Sequence, residues 1–168
     1  MGLAMAYVTV TLNAEQGISG IGFFLFGLGM SDLLFQKLVG SVETVKGFPK
    51  IYIPGLSDIP VIGEIFFSQN IMVYGAYLLV PAALFAMNRT TLGLKIRSVG
   101  ENPDAADSLG VSVARTRYFT IILGGTLSGI AGASLSIALL NVFQQNMTSG
   151  LGFIAVALVY FGAWRPLG

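Results

Sequence analysis

Of the 168 residues in this chain, 54% are hydrophobic and only 10% are charged, with a mean hydropathy of +0.78. Soluble domains carry about 25% charged residues, so this chain cannot cover a water-facing surface and is predicted to be an integral membrane protein. Because it contains no cysteine and no histidine, disulfides, thiolate zinc sites and imidazole chemistry are excluded, and we expect neither a catalytic residue nor a metal site. Its few, scattered basic residues cannot follow a phosphate backbone, so no nucleic-acid partner is expected.

The first predicted span lies at residues 17–38, after a shorter apolar stretch at 2–12. The shorter stretch cannot cross a hydrocarbon core of about 30 Å, so we interpret it as part of a membrane helix that begins earlier. Glycines in the first span allow another helix to approach one of its sides closely. Asp32 lies near the far end of this span, where a solvated carboxylate is the ordinary interpretation and a buried functional one the alternative.

The second predicted span, at residues 69–87, follows a segment punctuated by Pro49, Pro54 and Pro60. These prolines prevent a continuous helix, and the nearly balanced charges of the segment are those of an external loop. Pro81 lies inside the second span and is expected to kink it. We therefore predict an ordered external loop and then a span that runs inward.

A polar interval at residues 88–117 carries five of the nine basic residues. Short loops rich in Lys and Arg stay in the cytoplasm because basic residues resist translocation, so we place this interval inside the cell. Within it, Asn102 suits an N-cap, Pro103 the first helical position and Gly110 a left-handed C-terminal turn. The pattern predicts a helix of about two turns from Pro103 to Leu109, which by spacing alone is as readily an ordinary capped helix as a functional one.

The third predicted span, at residues 118–140, has small residues at four-residue spacing, which is typical of a tight helix-packing surface. The candidate packing residues are Gly124, Gly125, Ser128, Gly129, Gly132 and Ala133. After a polar outer turn, the apolar stretch at 151–164 is too short for a level crossing. It is either a half-helix that breaks near Arg165, of the kind that marks solute paths in transporters, or a span completed by residues beyond this sequence.

Three stretches together resemble a known family: SVGENPDAADSLGVSVARTR, followed by GGTLSGIAGA, and then GLGFIAVALVYFGAWRPLG. They look like the permease subunits of bacterial ABC importers for simple sugars and nucleosides, a group related to permeases for branched-chain amino acids and ribose. In such importers a short cytoplasmic helix docks into a groove on a separate ATPase subunit and transmits its closure to the membrane domain. The resemblance implies that the coupling helix here consists of Glu101, Asn102, Pro103, Asp104, Ala105, Ala106, Asp107, Ser108, Leu109 and Gly110.

The resemblance also implies the partners of the chain. They are an ABC ATPase subunit that binds the ATP, a second permease subunit, an extracytoplasmic solute-binding lipoprotein and the lipid bilayer of the bacterial inner (plasma) membrane. The chain itself is expected to hold no cofactor and to be no enzyme. Because such permeases are typically much longer, residues 1–168 are expected to form a partial transmembrane permease domain.

We therefore expect an all-α, polytopic transmembrane helical bundle with a short cytoplasmic coupling helix, serving an ATP-driven importer of a simple sugar or nucleoside. The alternatives are an ion-coupled secondary transporter or channel, an ABC permease for branched-chain amino acids, and a purely structural membrane subunit. No local motif fixes the solute-contacting positions, and each polar residue near a span end is also an ordinary interfacial residue. The candidates for the translocation path are Gln16, Asn141, Gln144, Gln145 and Asn146.

Overall fold

The computed structural model describes residues 1–40, 43–44, 47, 51–52 and 68–164. The α-helices within these residues are α1 Gly2–Ala6, α2 Gln16–Leu38, α3 Ile71–Arg89, α4 Thr91–Glu101, α5 Pro103–Ser108, α6 Val113–Ser134 and α7 Leu151–Phe161. Two π-helical segments, Tyr7–Thr11 and Leu135–Leu140, extend α1 and α6. The predicted breaks at Pro49, Pro54, Pro60 and Arg165 lie outside the described residues.

Four two-residue strands accompany the helices and form two antiparallel pairs. Strand β1 (Glu43–Thr44) pairs with β4 (Val142–Phe143), so that Glu43 lies opposite Phe143. Strand β2 (Ile51–Tyr52) pairs with β3 (Ser68–Gln69). The strands only join connecting segments to helix ends, and the predicted all-α class is confirmed.

Three helices are long and apolar enough to cross a membrane: α2, α3 and α6 with its extension to Ala138. At most 6% of the apolar window in each of them is buried inside the chain, so their apolar side chains point outward. In lipid this arrangement is stable, because a helix satisfies its own backbone hydrogen bonds and the apolar side chains meet hydrocarbon or other helices. The spans predicted at 17–38, 69–87 and 118–140 overlap these three helices. Their composition and length make the chain a multi-pass membrane protein.

Hydrogen bonds between distant residues define the two ends of the bundle. The hydroxyl groups of Thr11 and Tyr118 share a hydrogen bond, which places the link between α1 and α2 beside the start of α6. At the far end of α6, the Asn70 side chain donates to the carbonyl of Ala138 at 2.7 Å. The basic residues of the 88–117 interval therefore belong to the end marked by Tyr118, which we term the basic end, and Asn70 marks the opposite end.

Two further contacts join helices of the bundle. A Cβ atom added to Gly125 would lie 2.9 Å from the Gly2 Cα, so α1 and α6 meet backbone to backbone at these glycines. Phe24 in α2 packs edge-to-face on Phe153 in α7, with ring centroids 5.4 Å apart. Helix α7 ends at Phe161, within the stretch predicted as a half-helix or an incomplete span.

The polar interval at residues 88–117 is helical over most of its length, beyond the one helix predicted from Pro103 to Leu109. Helix α3 continues to Arg89, α4 was not predicted at all, and α6 begins at Val113, before the predicted span. The reason is local. Thr90 caps α4 by accepting from the Gly93 amide at 3.3 Å, and Leu92, Ile96 and Val99 recur at the spacing of one helical face.

Candidate functional site

The start of α5 is built by its first two residues, as the sequence predicts. Asn102 has extended backbone angles, and its side-chain oxygen accepts a hydrogen bond from the Ala105 amide at 3.1 Å. Pro103 occupies the first helical position, where no amide hydrogen is needed. Asp104 lies in the first turn, where the positive end of the helix dipole favours a negative charge. The helix is therefore fixed at its start by short-range interactions alone.

The end of α5 is a Schellman turn around Gly110. This glycine has φ +82°, in the left-handed region. Its amide donates to the Asp107 carbonyl at 2.8 Å, and the Val111 amide donates to the Ala106 carbonyl at 3.0 Å, which is the bond pair of that motif. Helix α5 consequently ends at Ser108, with Leu109 as its C-cap, one residue short of the predicted bound.

The two sides of α5 differ in what they offer a partner. Ala106 is only 3% exposed and packs against its own chain, so it is not available for contact with a partner. Ala105 is exposed, and Leu109 is 84% exposed. The sequence predicted Leu109 only as one member of the coupling helix, because its exposure depends on where the Schellman turn places it. The outward surface of α5 is formed by Asp104, Ala105, Asp107, Ser108 and Leu109.

A tight corner joins α3 to α4 ahead of the site. A Cβ atom at Gly93 would lie 2.4 Å from the Met87 carbonyl oxygen, so only glycine fits there. The Thr90 hydroxyl donates to the carbonyl of Ala86, and Arg97 donates to the side-chain oxygen of Asn88. Helix α4 is thus held firmly against the end of α3, and α5 is held between α4 and α6.

The candidate packing residues of α6 lie in two different environments. Gly125 contacts Gly2, as described above. Added Cβ atoms at Gly124, Gly129 and Gly132 would meet nothing within 4 Å, and Ser128 and Ala133 are exposed. The described part of the chain therefore leaves most of this small-residue face uncovered.

The candidate path residues are divided between the two ends of the bundle. Gln16 lines a cavity of about 310 Å³ at the basic end, together with Arg117. Gln145 and Asn146 line a cavity of about 420 Å³ at the opposite end, together with Leu28 and Asp32.

The structure thus joins Asp32 in α2 to two amides that follow α6, a combination that the sequence could not show. The remaining two candidates lie outside this lining. Gln144 is exposed, and Asn141 closes the π segment with φ 52° and packs against the backbone at Gly47.

Glu15 caps α2 at the basic end. Its carboxylate accepts hydrogen bonds from the amides of Ile18 at 2.6 Å and Gly17 at 2.9 Å. These two bonds favour the charged form, so the pKa of the Glu15 carboxyl is lowered from its ordinary value. The sequence showed only that Glu15 interrupts an apolar run, although an acidic residue just before a long apolar stretch is a signal for such a cap.

The chemistry available to these residues is binding and movement. No group of three or more acidic, histidine or cysteine side chains that could hold a metal ion occurs among the described residues. Helix α5 presents exposed acidic groups and a leucine on a rod fixed at both ends. If a bound partner displaced α5, the displacement would reach α3 through the Gly93 corner and α6 through the Schellman turn.

Curated relatives of the chain share its sequence over nearly its full length. It is 37% identical to the guanosine ABC transporter permease protein NupQ of Bacillus subtilis, in an alignment of 99% of the chain and 53% of the relative. It is 36% identical to the nucleoside ABC transporter permease protein NupC of Lactococcus lactis, over 97% of the chain and 52% of the relative. A Haloferax volcanii protein provisionally named a glucose ABC transporter permease, TsgC13, is 41% identical over 96% of the chain and 50% of its own length.

The chain spans about half the length of these curated relatives. No solved structure matches it. The family described as the permease component of branched-chain amino acid transport systems matches residues 1–168. This chain belongs to that permease family.

Proposed function

We propose that the chain forms part of the membrane-spanning permease subunit of an ATP-driven (ABC) importer in the bacterial plasma membrane. A separate ATPase subunit binds and hydrolyses the ATP, and a second permease subunit and an extracytoplasmic solute-binding lipoprotein complete the assembly. The solute is a simple sugar or a nucleoside. Support for this solute class comes from the relatives, which are named for glucose, guanosine and nucleosides.

The observation that carries the proposal is the geometry of α5. It is a short helix with defined caps at the basic end of a bundle of membrane-length helices, and it exposes Leu109 and Ala105 while burying Ala106. The basic residues assign this end to the cytoplasm, which is the side where ATP is available. A leucine at 84% exposure costs free energy in water, and docking into a groove of the ATPase would remove that cost.

The same geometry suggests how closure of the ATPase reaches the membrane. When the ATPase subunits close on ATP, the groove that holds α5 moves and carries the helix with it. Because the Gly93 corner fixes α4 to α3 and the Schellman turn fixes α5 to α6, the movement tilts two spans together. We expect the bundle to alternate in this way between outward-open and inward-open states.

Solute uptake into proteoliposomes that contain the complete importer tests the role of α5. The Leu109→Ala and Ala105→Trp variants should each lower ATP-dependent uptake by roughly tenfold or more, since truncating or obstructing a buried apolar anchor typically costs 2 kcal/mol or more. The matched control is Leu94→Ala, which truncates another exposed leucine, 69% exposed, on α4. Uptake that proceeds without any ATPase would exclude the importer, and uptake that both α5 variants leave unchanged would exclude α5 as its coupling element.

The cavity at the opposite end is the part of the path that suits a hydroxylated solute. A carboxylate at Asp32 and amides at Gln145 and Asn146 line it, and together they accept and donate the hydrogen bonds that sugar hydroxyl groups need. Among the described residues, the lining contains no lysine or arginine, so none of them offers a cation to the carboxylate of a branched-chain amino acid. This charge pattern favours a sugar or nucleoside over the amino acids in the family's description.

Substitutions in this cavity test its role separately from coupling. Asp32→Asn and Gln145→Ala should raise the solute concentration needed for half-maximal uptake by roughly tenfold, as expected when hydrogen bonds to a polar ligand are lost. Gln144→Ala is the control, because Gln144 is exposed nearby and lies outside the cavity lining. Equal effects of all three variants, or inhibition of uptake by leucine and not by ribose, would contradict this assignment.

A further inference from the structure

A second cavity at the basic end lies between α4 and the start of α6, beside the turn that closes α5. Its volume is about 300 Å³. Lys95 and Arg115 line it from two helices, and Leu92, Ile96 and Phe119 supply its apolar part. Gly110 and Val111 of the Schellman turn belong to its lining, but the outward surface of α5 and the cavity at the opposite end do not. The function proposed above assigns no ligand to it.

The two basic side chains of this cavity are suited to binding an anion. Lys95 and Arg115 are both exposed, and no ion pair involves either of them in the described part of the chain. The described residues that line the cavity include no aspartate or glutamate, and the Thr116 hydroxyl in its wall donates to the Ser112 carbonyl. Two cations that face one space repel each other until an anion binds between them. The complementary ligand is therefore negatively charged.

The apolar part of the cavity identifies the kind of anion. Leu92 is 53% exposed and Phe119 is 46% exposed, and both lie next to the cations. Arg115 and Phe119 lie about one turn apart near the start of α6, with Phe119 further along the apolar span. The cationic part of the cavity therefore lies toward the basic end and its apolar part toward the span, the order in which a phospholipid presents its headgroup and its acyl chains.

We propose that this cavity binds an anionic phospholipid of the inner leaflet. The lipid phosphate lies between Lys95 and Arg115, and an acyl chain covers Leu92 and Phe119. Basic pockets between membrane helices on the cytoplasmic side are suited to such headgroups. An acidic segment of the ATPase would satisfy the cations but would leave the exposed apolar side chains of Leu92 and Phe119 uncovered. The bound lipid would lie beside the coupling helix and would brace α4 against α6.

The other basic residues of this end supply a matched control. Arg97 is already bonded to Asn88, and Arg117 lines the cavity that contains Gln16. Replacing Arg97 and Arg117 by glutamine removes the same charge from the same end and leaves the proposed lipid cavity intact. The comparison separates a specific site from general attraction to an anionic membrane surface.

The test measures lipid association with the complete importer in nanodiscs, using spin-labelled phosphatidylglycerol and phosphatidylcholine as the probes. The unchanged importer should prefer phosphatidylglycerol by on the order of tenfold. The Lys95→Gln/Arg115→Gln variant should lose this preference, and the Arg97→Gln/Arg117→Gln variant should keep it. A Lys95→Arg/Arg115→Lys variant should also keep it, because both positive charges remain. Assembly of the Lys95→Gln/Arg115→Gln variant with the ATPase shows that its loss of preference is not a failure to fold.

Three outcomes would overturn the proposal. Equal loss in the two glutamine variants would assign the preference to general surface charge. Displacement of the labelled lipid by inorganic phosphate would assign the site to a soluble anion. Loss of ATPase assembly in the Lys95→Gln/Arg115→Gln variant, with the lipid preference unchanged, would assign the cavity to the protein partner. None of these results bears on ATP-dependent uptake by the unchanged importer, so the proposed function is tested independently of the lipid site.

Discussion

At the scale of single residues, a few backbone positions decide the shape of the basic end. Asn102 and Gly110 fix the two ends of α5, Gly93 allows α4 to fold back on α3, and Glu15 starts α2. Each of these residues acts through a backbone hydrogen bond or a conformation that few other residues adopt. Their effects can therefore be measured one at a time.

Gly110→Ala should destabilise the protein by about 1 kcal/mol, because a left-handed conformation is costly for a residue with a Cβ atom. An added Cβ atom there meets no neighbour, so the cost is conformational and not steric. Denaturant unfolding of the detergent-solubilised protein measures it. Gly100→Ala, in the last turn of α4 with open space around it, is the control and should be neutral or stabilising. Equal effects of the two substitutions would refute the conformational explanation.

The capping of α2 by Glu15 predicts a dependence of stability on pH. Because the pKa of Glu15 is lowered in the folded protein, its contribution is complete above the unfolded pKa of about 4.3 and is lost as pH falls through the folded value. The midpoint temperature of thermal unfolding should fall as the pH is lowered through that acidic range, and it should fall less in the Glu15→Gln variant. Parallel stability profiles for the two proteins would show that the cap contributes nothing.

At the scale of elements, the helices are joined more by backbone approach and hydrogen bonding than by a core. The buried apolar residues in the described part of the chain are Ala6, Val99 and Ala106, which are too small to hold a bundle together by themselves. Helix α1 is held on α6 where Gly2 meets Gly125, and such close approach is how membrane helices gain dispersion contacts without a hydrophobic driving force. The uncovered glycines of α6 leave the same kind of surface free for a further helix.

Gly125→Ala should destabilise the packing of α1 on α6, because its Cβ atom would lie 2.9 Å from the Gly2 Cα and the backbones must separate. Overpacking of this kind costs about 1–3 kcal/mol. Gly124→Ala, one position along and facing open space, is the matched control. Unfolding of the isolated chain in detergent measures both variants. Destabilisation by Gly124→Ala alone would show that the neighbouring face makes the important contact.

At the scale of the whole molecule, the bundle has one basic end and one end lined by Asp32 and amides. The link between α1 and α2, the corner at Gly93 and helix α5 all belong to the basic end. The pairs of short strands and the Asn70 contact belong to the opposite end. A permease needs this polarity, because the coupling surface and the solute entrance must face different compartments.

Single-cysteine labelling checks the polarity directly, since the natural chain contains no cysteine. Ser108→Cys on α5 and Gln145→Cys at the opposite end are both at exposed positions. In intact cells, a membrane-impermeant maleimide should label only Gln145→Cys, and in inverted membrane vesicles only Ser108→Cys. The reverse pattern would place α5 outside the cell and would remove its proposed role.

The sequence by itself determined the properties that depend on composition and on neighbours along the chain. The low content of charged residues indicates a membrane protein, and the long apolar runs locate its spans. The order Asn102, Pro103 and Gly110 locates α5 almost to the residue, because helix caps act over a few positions. Helix α4 was not predicted, because the interval before α5 is mostly polar. The apolar face of α4 consists of single residues three or four positions apart, which do not form an apolar run.

Only the tertiary structure decided which side of each helix is available. It buried Ala106, exposed Leu109, and left open most of the glycine face of α6. It also brought Asp32 to Gln145 and Asn146, and Lys95 to Arg115. These pairings join residues that are distant in sequence, so they depend on the packing of helices. In membrane helices that are apolar on all sides, the hydrophobic pattern cannot specify which faces meet.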